Sequence, residues 1–293
     1  MTKFGTLYLC PTPIGNLEDI TLRALKILKE ADYIAAEDTR VTIKLLNHFK
    51  IKTPLISYHE HNKKNQSLRL ISLLQEGKNI ALVSDAGTPG ISDPGEDLVA
   101  DAIKAGIDVV PLPGAAAAIC ALVASGLSTK RFVFEGFLPK KAQERTRRLL
   151  ELISEQRTIV LYEAPHRIIK TLKALRDTLG NRQATIAREM TKIHEEFVRG
   201  TLEDLIQRFT EVSPKGEMVI VLEGADPTLN SDNRQTATLA EPKLSSEELK
   251  SKLKLIVEAN ISQGYTKNQA LRKAALELGL SRNQAYELLI NET

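Results

Sequence analysis

From its first residues the chain alternates short apolar runs with longer stretches whose apolar positions recur at helical spacing. Strands are predicted at Thr6–Cys10, Tyr33–Ala36, Asn79–Ser84 and Asp108–Leu112, with helices over Ile20–Ala31 and Thr39–Phe49 between the first three. That alternation predicts an α/β sheet covered on both faces. After Pro113-Gly114 a helix of small residues, Ala115–Ser125, leads into the strand-like run Phe132–Phe137. Further strands are predicted at Thr158–Tyr162, Ala184–Glu189 and Met218–Glu223, with Phe197–Gly200 a fainter one. The predicted organisation is an α/β domain over 1–113, a second α/β domain over 114–224, a linker over 225–242 and a helical domain over 243–293.

The linker assignment rests on ADPTLNSDNRQTATLAE, which holds few large apolar residues. Beyond it Leu249, Leu253, Ile256 and Val257 recur at helix spacing, then Ala270, Ala274, Ala275 and Leu278, then Ala285, Leu288 and Leu289. Gly279 suits a helix stop and Ser281 the next N-cap. Such a pair fits a helix-turn-helix and fits a three-helix docking or dimerisation bundle equally well.

Composition narrows the picture without deciding it. Forty basic residues stand against 37 acidic ones, for a net charge of +3, so any nucleic-acid argument must rest on local clusters. The two cysteines, Cys10 and Cys120, form neither a C-x-x-C pair nor a zinc pattern, so no metal is expected. No run is long enough for a membrane helix, and the amino-terminal apolar stretch is broken at once by Pro11, Pro13 and Gly15, so a cytoplasmic protein is expected.

Ile80–Gly95, IALVSDAGTPGISDPG, carries the strongest chemical signal: an apolar strand runs into glycines, prolines and two aspartates before a helix begins. Loops at the carboxyl ends of strands are where open α/β sheets bind ligands. A long structural turn, with Asp93 and Pro94 opening the next helix, accounts for the same residues. LCPTPIGN (Leu9–Asn16) and PGAAAA (Pro113–Ala118) are two more strand-end loops able to converge on it. None reads G-x-G-x-x-G or G-K-[ST], so a dinucleotide fold or a nucleoside triphosphatase is poorly supported.

Taken in order, CPTPIGNLEDITLRALKILKEADYIAAEDTR, LVSDAGTPGISDPG, PLPGAAAA, GFLP, LYEAPHR, REMTKIHEE and KGEMVIVLEG resemble the rRNA small-subunit methyltransferase I family within the tetrapyrrole methylases. The resemblance spans nearly the whole chain. It implies S-adenosylmethionine bound in a cleft between two α/β domains, a homodimer, and 2′-O-methylation of a ribose, that of a cytidine, in small-subunit ribosomal RNA, with the assembled small ribosomal subunit as the expected partner. By position it assigns the cofactor to Pro13, Asp85, Ala86, Gly87, Ile91, Ser92, Ala115 and Ala116 from the first domain. Phe137, Leu138, Tyr162, Ala187, Glu217 and Met218 would close the cleft from the second. Pro-Thr-Pro-Ile-Gly stands where tetrapyrrole-modifying relatives have a Gly-rich loop, and Ser-Asp-Ala-Gly-Thr-Pro where they have Gly-Asp-Pro, which disfavours a porphyrin-like substrate.

A ribose hydroxyl is a poor nucleophile until it loses its proton. The run Arg188–Glu196 offers Glu189 or Lys192 for that task, although a surface turn of paired charges fits it as well. Glu37-Asp38-Thr39-Arg40 either meets the substrate through Arg40 or simply caps a helix. The densest basic run, PKKAQERTRR, supplies Lys140, Lys141, Arg145, Arg147 and Arg148 as a stripe of phosphate contacts, with Arg167 beside them. With aromatics only 4% of the chain and no tryptophan, recognition by charge and shape is expected over base stacking. Two alternatives remain: a tetrapyrrole methyltransferase, and a metabolite-sensing helix-turn-helix regulator. Eight basic and six acidic residues over 243–293 are weak for a groove reader.

Overall fold

A computed structural model describes residues 4–212, 216–226 and 246–262, together with residues 270, 271, 274 and 285. Two compact units divide the chain, Met1–Ala225 and Asp226–Thr293. Both sheets belong to the first unit, so the border expected near residue 114 separates two sheets within it.

The first sheet holds β1 (Thr6–Leu9), β2 (Tyr33–Ala36), β3 (Leu55–Ser57), β4 (Ile80–Val83) and β5 (Asp108–Pro111), ordered β3-β2-β4-β1-β5. All its pairings are parallel, with Leu7 opposite Ile80 and Leu7 opposite Val109. Parallel strands need helical crossovers, and these cover both faces. Helices α1 (Leu22–Glu30) and α2 (Thr39–His48) bury Ala24, Leu28 and Leu46 against Ile34, Ala81 and Val83. On the other face α3 (Lys63–Gln75) and α4 (Gly95–Lys104) bury Leu70, Leu74, Leu98 and Ala102 against Leu7, Ala35 and Leu82. Every residue of β4 is buried, which is why IALV lacks a polar alternation.

After α5 (Ala117–Ala124) the second sheet is mixed. It comprises β6 (Phe132–Phe137), β7 (Thr158–Glu163), β8 (Gln183–Arg188), β9 (Glu196–Thr201) and β10 (Met218–Leu222), ordered β6-β7-β10-β8-β9. Helices α6 (Ala142–Glu151), α7 (Ile168–Leu179) and α8 (Leu202–Glu211) cover one face, packing Leu149, Leu172, Leu175, Leu205 and Phe209 on Leu161, Ile186 and Ile220. Each such buried side chain removes enough apolar surface to favour folding by about 2 kcal/mol before entropy is counted. On the other face α5 sets Ala118, Ala121 and Leu122 against Val160, Ala187, Val219 and Val221. Ile14, from the loop after β1, packs on this same cluster and so reaches from the first sheet to the second.

Sequence reading missed β3, whose three residues sit between Pro54 and Tyr58. The faint strand is real: Glu196–Thr201 pairs antiparallel with β8 at the sheet edge. Ala225, expected in the linker, is buried and donates its amide to the Glu155 carbonyl at 2.6 Å. In the second unit α9 (Ser246–Ser262) contributes Leu253 and Val257 to a small cluster with Ala270, Leu271, Ala274 and Ala285. The turn expected around Gly279 and Ser281 lies outside the described residues, as does most of the expected linker.

Candidate active site

Three strand-end loops of the first sheet are joined by hydrogen bonds. Thr12 and Gly87 exchange backbone bonds, Thr12 N to Gly87 O at 2.9 Å and Gly87 N to Thr12 O at 3.0 Å. The Thr12 hydroxyl donates to Ser84 O at 3.1 Å, and the Thr88 hydroxyl to Ala115 O at 2.9 Å. Gly87 sits at φ +82°, a conformation that a side chain would strain. The Asp93 carboxylate accepts from Gly90 N and Gly95 N and closes the loop ahead of α4.

These loops form one wall of a cleft of about 780 Å³, within the range of small-molecule sites. Ile14, Ala86, Gly87, Thr88 and Ile91 line it on that side, and Ala116, Ala117, Ala118 and Ile119 at the start of α5. The second sheet supplies Phe132, Phe134, Phe137, Tyr162, Glu189, Met190, Lys192, Gly216, Glu217, Met218 and Val219. Phe134 and Phe137 lie with ring centroids 5.0 Å and 5.6 Å from that of Tyr162, the first edge-on and the second tilted, an aromatic cluster on the cleft wall. Burial pushes the Tyr162 hydroxyl pKa up, partly offset by a backbone hydrogen bond from Ala118, so it stays a neutral phenol.

Of the positions assigned to the cofactor, Ala86, Gly87, Ile91, Ala116, Phe137, Tyr162, Glu217 and Met218 line this cleft. Pro13, Asp85, Ser92 and Ala115 belong to the same loops but are not among its lining residues. Asp85 instead accepts the Asp38 amide at 2.9 Å. Leu138 and Ala187 are not among its lining residues either: they are 2% and 0% exposed, with side chains in the cores beneath the α6–α8 layer and beneath α5. Phe132 and Phe134 escaped notice although strand alternation puts both on one face; Ile14, Thr88, Met190 and Val219 each neighbour a residue or motif that was singled out.

Within REMTKIHEE the structure separates roles. Arg188 pairs with Glu196 at 2.6 Å, and the Glu195 carboxylate accepts the Thr191 amide at 2.6 Å, so these three hold the turn. Glu189 and Lys192 form an ion pair of 2.9 Å, and both line the cleft. Glu189 and Thr191 adopt left-handed backbone, φ 49° and 65°, which costs non-glycine residues energy and must be held by the surrounding structure.

A group of carboxyls stands at the ends of β2 and β4. Burial, reinforced by Asp85 and Asp93, raises the Glu37 pKa; Asp85 is raised too, chiefly by burial. Asp38 caps α2 and binds the Arg40 guanidinium at 2.6 Å, which brings its pKa down to about 2. Arg40 remains highly exposed beside it. Among the described residues no group of three or more His, Cys, Asp or Glu side chains could hold a metal ion.

The expected basic stripe is thinner than its sequence. Arg145 turns inward, 8% exposed, and donates to the carbonyls of Pro139 and Lys140, because it shares the buried face of α6 with Leu149. Arg148 is held by Glu135 and Glu151, and Lys141 by Glu144. Arg167 pairs with the buried Glu163 and donates to Leu138 O at 2.8 Å, so its guanidinium is already engaged within the fold. Lys140 and Arg147 remain, with no carboxylate partner among the described residues.

The sequence profile of the Tetrapyrrole (Corrin/Porphyrin) Methylases matches residues 6–206. A Synechocystis protein named Ribosomal RNA small subunit methyltransferase I is 52% identical over 97% of this chain and 97% of its own length. This chain belongs to the ribosomal RNA small subunit methyltransferase I family of tetrapyrrole methylases. A Thermotoga maritima member of that family is 48% identical over 76% of this chain and 100% of its own length, so about a quarter of the present chain has no counterpart in it. The family fold extends further: uroporphyrin-III C-methyl transferase from Thermus thermophilus, solved in complex with S-adenyl homocysteine, superposes with a TM-score of 0.51 at 21% identity, covering 74% of this chain and 97% of that one.

Proposed function

We propose that this chain transfers the methyl group of S-adenosylmethionine to a ribose 2′-hydroxyl, that of a cytidine, in small-subunit ribosomal RNA. The observation that carries the reading is identity of 52% along nearly the whole length of a protein named for that RNA. The reading includes a cytoplasmic setting, where ribosomes are, and a second copy of the chain as partner.

The cleft suits the cofactor. Gly87 holds its place in that wall by its left-handed backbone, φ +82°, while a methyl there would make only ordinary contacts, 3.4 Å to Ile14 Cγ2 and 3.5 Å to Ala115 O. Ala86, Gly87, Ile91 and Ala116 would hold the cofactor from the first sheet, with Pro13, Asp85, Ser92 and Ala115 behind them in the same loops. Tyr162, Phe137, Glu217 and Met218 would hold it from the second, their aromatic surface matching a purine. When bound, the cofactor supplies a methyl group on a positively charged sulfur, open to in-line attack.

The chain's own task is then to bring the ribose oxygen into line, exclude water and take its proton. Glu189 and Glu217 are the carboxylates that line the cleft, and Glu189, the one paired with Lys192, would accept that proton. Its Lys192 partner holds the carboxylate in place and offsets negative charge developing on the ribose oxygen. Lys140 and Arg147, with Arg40 in the first turn of α2, would meet backbone phosphates.

Transfer of labelled methyl from S-adenosylmethionine to small ribosomal subunits lacking their native modifications, followed by digestion to nucleosides, tests the reading. Label in 2′-O-methylcytidine is expected. Label only on a tetrapyrrole would overturn the RNA substrate and leave the cofactor and fold in place.

A further inference from the structure

We propose that Gly15 is a positioning residue: by lacking a side chain, the loop after β1 seats the Glu189–Lys192 pair of the second sheet for reaction. This rests on the reading that the pair handles the ribose proton.

Gly15 follows Ile14, which lines the cleft, and precedes Asn16, whose side chain accepts the Glu18 amide. It is absent from the positive-φ glycines, so its backbone does not explain its identity. Space does. A methyl on Gly15 would lie 2.7 Å from Lys192 Cγ, 2.7 Å from Thr191 Oγ1 and 2.9 Å from Met190 O. Three successive residues of the turn therefore rest on one missing side chain.

On the other side of the turn the Glu189 carboxylate occupies the place of a side chain on Gly216, where a methyl would overlap Oε1 and lie 2.8 Å from Cδ. The ion pair is thus held between two glycines, one from a loop of each sheet. Glu189 and Thr191 are in left-handed backbone, and the Thr191 hydroxyl is buried with no hydrogen-bond partner among the described residues. Packing from outside must hold such a conformation. Gly15 supplies it from a loop that the Thr12–Gly87 exchange ties to the 84–92 loop, so the wall assigned to the methyl donor and the group assigned to the proton share one frame.

A double-mutant cycle tests this in the full chain, with S-adenosylmethionine and small subunits. Gly15→Ala should lower kcat by roughly ten- to a hundredfold, as a displacement on the order of 1 Å does to a reacting group. Cofactor Kd should stay within about threefold, and the pH profile of kcat should shift, which lost packing alone would not produce. In a Glu189→Ala/Lys192→Ala background the pair to be seated is gone, and the same substitution should cost less than about threefold. An equal loss in both backgrounds overturns the proposal while leaving the role of the pair intact. Full turnover by Lys192→Ala alone overturns both. If Gly15→Ala does not fold, Thr191→Ala reads the same contact: it should keep or raise stability and lower kcat several-fold, and an unchanged kcat would overturn the proposal.

Discussion

The two sheets face the same cleft with different materials. From the first come backbone and small side chains: Gly87 in left-handed conformation, Ala86, and loops locked by Thr12 and Thr88. From the second come rings and charges: Phe134, Phe137, Tyr162 and the Glu189–Lys192 pair. Topology accounts for much of the contrast. An all-parallel sheet directs several consecutive loops to one edge, where amides and carbonyls can surround a ligand. The mixed sheet instead sends the long face of β6 and β7, and one strained turn after β8, toward the opening. One wall of the cleft is thus built largely from backbone and small side chains, and the other from rings and charges.

If that division is right, the largest effects fall on the second sheet. Glu189→Gln and Lys192→Met should each lower kcat by about a hundredfold or more with cofactor affinity retained; full turnover in either would move the chemistry elsewhere. On the first sheet, Gly87→Ala should behave oppositely. The strain at its φ costs about 1–2 kcal/mol of stability, visible in denaturant unfolding, and calorimetry should show cofactor binding weakened by about tenfold.

A smaller contrast lies within α6. Arg145→Ala should destabilise by about 1 kcal/mol and leave the salt dependence of RNA binding as it was, since its guanidinium serves two carbonyls. Arg147→Ala should leave Tm unchanged and reduce the salt slope by about 0.7–0.9. The smallest effect expected is at Glu37. Burial raises its folded pKa above the unfolded value near ~4.3, so the fold gives up stability as pH climbs between the two and holds that cost above them. Glu37→Gln should raise Tm at pH 7, and the gain should close toward zero below pH ~4. A gain that persists in acid would assign the effect to packing.

Much of this was legible beforehand because the signals were local. Apolar runs gave nine of the ten strands, and glycine with proline marked the loops at their ends. β3 was not legible, since three residues carry no periodicity. Arginine direction was legible in principle: Arg145 lies four residues before Leu149, a spacing that places both on one helix face. Counting charge along PKKAQERTRR obscured it. Leu138 and Ala187 show a different limit, because a motif position transfers a neighbourhood, not the direction in which a side chain points. The seating of Lys192 on Gly15 could not be read at all, since the contact joins residues far apart in the chain and depends on an atom that is missing.

Strand β10 is the last of its sheet in sequence yet the middle one in space, paired with β7 on one side and β8 on the other. During synthesis the β6–β7 and β8–β9 pairs therefore emerge as two unconnected ribbons, each with an apolar edge waiting for a partner that arrives about two hundred residues into translation. The inner edges of β7 and β8 gain their partner only when Met218–Leu222 is inserted between them. A nascent chain stalled before that point should expose both ribbons to chaperones or to one another, which makes this late insertion the step at which the enzyme's biogenesis is most exposed to failure.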